Sequence, residues 1–325
     1  MNMDINSMDN RTNETNRVDI KKIEERLKDS FGANPIFDPN NVGKDNSVED
    51  KIVSYVMKLN ETVNINMDGF YERMKSLKLE PLSIYSNNGL VSYDSASNTG
   101  FISVNVLKND EENKYNVDNI FAQLMLMITT SREIQMDNEM INSYGFGHVR
   151  ELDALNKACT YMIASNLVGS SEKSNNEEEL MLLNMLNKTL KDTNSKIDFI
   201  DAYFSNNGQL LKSELNTKGI NDDILNEINY LNEAKLNGLN VLDRYASISN
   251  KINRNYAMFI SNRQITDGDD YTQHLLNDKV LDFSTIGVER VSLGMRKALE
   301  YVKNKNNNMV NINNYNKQNV MQKAA

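Results

Sequence analysis

The chain has 325 residues, 39% of them apolar, enough to bury a core in one large or two ordinary domains and to exclude disorder throughout. A net charge of −9 and a pI near 5.0, with no stretch that gathers Lys and Arg among aromatics, exclude a nucleic-acid surface. The single cysteine, Cys159, excludes an internal disulfide framework and points to a cytoplasmic address, while 52 Asn, three Pro and no Trp are a compositional bias to which no function is assigned.

Residues 1–17 are polar and aperiodic, with no apolar core of a secretory signal, so they are expected to be disordered. Ile52, Val53, Val56, Met57 and Leu59 recur at helical spacing, as do Phe70, Met74 and Leu77, which predicts two helices. From Leu82 to Val106 the pattern changes to alternation of β-branched and aromatic residues broken by Asn-Gly and Asn-Thr-Gly turns, which predicts a small antiparallel sheet or hairpin. Val117 to about Arg132 returns to a helix, apolar almost all round and therefore buried in the core. Its apolar run, near Ile120–Ile128, falls far short of the roughly 20 residues that cross a bilayer, so no membrane partner is expected. The Tyr144-Gly-Phe-Gly147 loop follows, then a helix over residues 151–168. Further helices are predicted at Leu180–Leu190, Lys196–Phe204, Asn221–Leu239 and Ile286–Val302, the acidic run around Glu177–Glu179 marking a helix start. The end, from Lys303, is an Asn-rich tail expected to be disordered.

The order of parts is distinctive: a hairpin ending NTGFISVNVL, a buried helix FAQLMLMITTSRE, a Gly-Phe loop, a helix containing ALNKACTYMIASNLV, and later FIDAYFSNNGQLLKSEL. This series, over roughly residues 50–215, resembles gluzincin-like zinc metallopeptidases of a bacterial group. In that family a sheet edge precedes a helix bearing H-E-x-x-H, and a later helix with L-N-E-G brings an acidic third ligand. The resemblance implies a degenerate zincin-like domain at residues 18–170 and a helical subdomain at 171–302.

The family's chemistry needs two histidines on one helical face, a third ligand closing a partial tetrahedron, and a water in the open position with the Glu as its general base. Aligned on that pattern, Ala122 and Leu126 stand at the histidine positions, Gln123 at the glutamate and Lys157 at the third ligand. An alkyl group offers no lone pair, an amide is a negligible base and an ammonium repels a divalent metal. The resemblance therefore implies a metal site that has been lost, with no cofactor and no catalysis. Nowhere in the chain does an H-E-x-x-H occur, since its only histidines are His148 and His274.

His148, three residues before Glu151 and eleven before Cys159, lacks metal-ligand spacing, and Cys159 has no histidine at helical spacing, so burial as a small apolar residue is expected for it. No phosphate-cradling loop or serine-hydrolase elbow is present. The expected fold is α+β and mostly helical. The expected function is that of a catalytically inactive, metallopeptidase-like module binding a protein or extended peptide in the groove between sheet edge and former active-site helix. Two alternatives stand beside it: an enzyme with a relocated site using His148, Glu151 and Lys157, and a purely structural helical module. Under the first reading Lys157 lies near Gln123.

Overall fold

The computed structural model describes residues 20–63, 65–82, 90–103, 117–136, 139–169 and 177–267. The expected terminal segments, the helix at 286–302 and His274 lie outside them. The chain divides into two compact units, Met1–Glu133 with Leu167–Ser170, and Ile134–Asn166 with Ser171–Ala325. It is mostly helical with little sheet.

The first unit opens on a helix α1 (Ile20–Ala33) that buries Ile23, Leu27 and Phe31, one per turn. Helix α2 (Val48–Thr62) starts where Ser47 Oγ accepts from the Asp50 amide, and it buries Ile52, Val53, Val56 and Leu59. Helix α3 (Asp68–Met74) buries Phe70, Tyr71 and Met74. It is held to α1 by Asn34 Nδ2, which donates to the carbonyls of Met74 and Leu77, and by Arg26, which stacks 4.0 Å over Tyr71 and pairs with Asp68.

The sheet that follows corrects the antiparallel expectation. Strands β1 (Lys78–Leu82), β2 (Val91–Asp94) and β3 (Thr99–Ser103) lie in the order β1-β3-β2, with β2 antiparallel and β1 parallel to β3. The β2–β3 turn is the expected hairpin, closed by Asn98 at φ 49°. Strand β1 gave no signal because four of its five residues, ending in Pro81, are exposed and do not alternate. Helix α4 (Val117–Thr130) packs against β2 and α3. A short hairpin of β4 (Arg132–Met136) and β5 (Glu139–Ser143) was not foreseen.

In the second unit a single 3₁₀ turn leads into α5 (Asp153–Val168), followed by α6 (Glu177–Asp192), α7 (Phe199–Ser205), α8 (Gly208–Thr217), α9 (Asp222–Leu236) and α10 (Leu242–Asp267). Asp198, Asn207 and Asn221 cap α7, α8 and α9 with side-chain oxygens. Helix α6 is buried without a break from Glu179 to Leu190 and forms the centre of this unit. Among the described residues no helix is long and apolar enough to cross a membrane.

Candidate functional site

Helix α4 carries three of the four positions singled out above. It can approach the sheet because Gly100 of β3 has no side chain: a Cβ there would lie 2.8 and 3.0 Å from the two Leu124 methyls. Ala122 and Leu126, one turn apart on one face, are 4% and 0% exposed, so both positions are filled by packed alkyl groups. Gln123 is half-buried, and its Nε2 donates to Oδ1 of the buried Asn119 at 2.7 Å. The Gln123 amide is thus held by its own helix. Among the described residues no group of three or more His, Cys, Asp or Glu side chains is placed to hold a metal ion.

Lys157 stands half-buried on α5, in the second unit, one turn after Asp153. Desolvation holds the Asp153 carboxyl above its ordinary range, and the charges of Lys157, His148 and Arg150 pull it back down. Asp153 itself keeps solvent contact, so the effect is screened. All three polar groups weighed for a relocated site act on Asp153, His148 and Lys157 lowering its carboxyl and Glu151 raising it. Glu151 is in addition engaged by Lys212 at 2.9 Å, which holds its carboxyl below the usual range. The same ammonium reaches Asp222 at 2.9 Å. Sequence reasoning passed over Asp153, although an acid four residues before a lysine on a helix is a legible pair.

The Tyr144–Gly147 loop has a full structural explanation. The Phe146 amide donates to Asn156 Oδ1 at 3.1 Å and Asn156 Nδ2 donates to the Tyr144 carbonyl at 3.2 Å. Gly145, at φ 60°, lies where a Cβ would meet Asn156 Oδ1 at 2.1 Å, so no other residue fits there. From the other side Asn206 Nδ2 donates to the Gly145 carbonyl and the Gly208 amide to that of Phe146, at 3.0 and 2.9 Å. Phe146 meets Phe199 and Tyr203 edge-on, and the Tyr203 hydroxyl bonds Thr160 at 2.8 Å. Burial, with Asp153 adding to it, pushes the Tyr144 hydroxyl up to about 12.

Cys159 is fully buried, and burial raises its thiol well above the ordinary range, so no thiolate is available for attack. A surface groove of about 800 Å³ runs between α9 and α10. Along it Lys251 pairs with Glu227, Arg244 stacks 4.1 Å over Tyr230, and Asp223 accepts from Asn221 Nδ2 at 3.4 Å.

The class these features define is a mostly helical α+β chain of two units. No protein-family model matches it, no curated protein matches its sequence and no solved structure matches its fold.

Proposed function

We propose that the chain is a catalytically silent, zincin-like module that binds a protein or extended peptide by adding it as a strand beside α4. The observation that carries the reading is the state of α4: Ala122 and Leu126 packed shut at the histidine positions and Gln123 tied to Asn119. Once a metal no longer offsets the cost of burying polar ligands, alkyl side chains are favoured in their place.

The sheet favours one edge. Among the described residues β2 borders α4 and pairs on one side only. The Ser103 amide donates to the Leu90 carbonyl, so in the antiparallel alternation the backbone groups of Val91 and Tyr93 point away from β3. The opposite edge, β1, carries Pro81 and lacks one donor.

The test has two readings on the purified full chain. Elemental analysis is expected to give no stoichiometric zinc, and about one tightly bound zinc per chain overturns the proposal. A library of fluorescent ten-residue peptides, followed by anisotropy, is expected to contain ligands that Tyr93→Phe retains and Tyr93→Pro loses. A library with no binder, or binders indifferent to Tyr93→Pro, removes the strand-addition reading.

A further inference from the structure

The first turn of α6 carries Glu177, Glu178 and Glu179, and the last turn of α9 carries Lys235. Lys235 Nζ donates to Glu179 Oε2 at 2.6 Å and is also paired with Glu178. Two carboxylates thus share one ammonium. The three side chains are not equally placed: Glu179 is 1% exposed, whereas Glu178 and Lys235 keep about a fifth of their surface in solvent. The second oxygen of Glu179, Oε1, is buried with no hydrogen-bond partner. An ionised carboxylate left half-satisfied in the interior is an unfavourable state unless neutralised.

We propose that Glu178, Glu179 and Lys235 form a proton-operated latch: with both carboxylates ionised the cluster carries one excess negative charge, and one proton taken up by Glu179 cancels it and tightens the seat of α6 against α9.

Desolvation is the main influence on the Glu179 carboxyl and raises it above the ordinary range, with Lys235 and the backbone amide of Glu179 itself opposing and Glu178 adding to the rise. Among the described residues the charges that act on Glu179 are those of Lys235 and Glu178. Helix α10 meets this end of α6 through the Tyr245 hydroxyl on Met181 Sδ, and the α8 side chains Lys212 and Glu214 are engaged with Glu151, Asp222 and Ser195. Burial of α6 begins at Glu179 and runs on to Leu190, so within the cluster it is the Glu179 carboxylate that is shut away from solvent while Glu178 keeps partial access.

The sign follows from linkage. A carboxyl whose folded value is raised binds its proton more tightly in the folded chain, so stability falls as pH rises through that value and is regained as pH falls toward the ordinary glutamate value. The change is about tenfold in the unfolding equilibrium constant per unit of difference between folded and unfolded titration midpoints. Urea unfolding of the full chain between about pH 8 and about pH 5 is expected to show this gain on acidification. Glu179→Gln is expected to abolish it, and Glu177→Gln, which lies outside the cluster, to keep it. An unchanged pH dependence in Glu179→Gln overturns the proposal. Should that variant fail to fold, ¹³C carboxyl NMR of the unaltered chain decides instead: the Glu179 resonance must titrate above the ordinary glutamate range, and a normal midpoint overturns the latch.

Discussion

Every non-glycine residue with positive φ among the described residues is an asparagine: Asn46, Asn98, Asn194 and Asn206. A short amide side chain tolerates the left-handed region by bonding locally, at far lower cost than a β-branched residue. Other asparagines fasten backbone across long sequence distances. Asn34 holds the end of α3, and Asn229 accepts from the Ala154 amide while donating to the Arg150 carbonyl, capping α5 from α9. The compositional excess, to which the sequence assigned no role, thus does part of the turn-making usually left to glycine. Asn156 is the most consequential of these because its amide serves both sides of the Tyr144–Gly147 loop. Asn156→Ala leaves the Phe146 amide buried without an acceptor, and a cost of about 1–3 kcal/mol is expected. Chemical denaturation measures it, and a loss below about 0.5 kcal/mol shows that the loop is held by its aromatic contacts instead.

At the scale of elements, α6 and α10 run side by side in parallel. The Tyr245 hydroxyl meets Met181 Sδ, Ser249 Oγ meets Met185 Sδ, and the Tyr256 hydroxyl donates to Asp192 Oδ2, three contacts at one constant offset along the chain. Parallel neighbours cannot be joined by a tight turn, so α7, α8 and α9 form the return path. The strongest of the three contacts is the last, at 2.6 Å to a carboxylate that also holds the buried Lys188 at 3.0 Å. Tyr256→Phe is expected to destabilise the chain by roughly 1.5–3 kcal/mol, the range for a hydrogen bond to a charged group. A melting temperature within error of the parent's shows the seam to be held by apolar packing alone.

At the scale of the whole molecule the proposed lost metal site rests on four positions, Ala122, Gln123, Leu126 and Lys157. Under that proposal, restoring zinc binding takes four changes together, Ala122→His, Gln123→Glu, Leu126→His and Lys157→Glu. The first and third restore two nitrogen ligands on one helical face, the last replaces a cation with the closing carboxylate, and the second supplies the base. The quadruple variant is expected to bind zinc in calorimetric titration where the parent does not, and the triple variant that keeps Lys157 to bind it far more weakly. Equal affinities for triple and quadruple variants place Lys157 away from the α4 positions and remove the zincin reading.

The sequence by itself determined the mostly helical character, the buried nature of α4 and the hairpin of β2 and β3, because apolar period and Asn-Thr-Gly turn chemistry are local properties of the chain. It also determined that no H-E-x-x-H motif occurs, since that is a matter of inventory. Only the tertiary structure decided that β1 joins β3 in parallel, for a strand exposed at its first four positions, Pro81 among them, has no alternation to display. The same holds for α6: a helix with Asn184, Asn187 and Lys188 reads as partly solvated, and it is buried because neighbours close around it. The cluster of Glu178, Glu179 and Lys235 belongs to this second kind. Its acids read correctly as a helix start, but their partner lies 56 residues away from Glu179, and the burial that gives the cluster its chemistry exists only once the helices have packed.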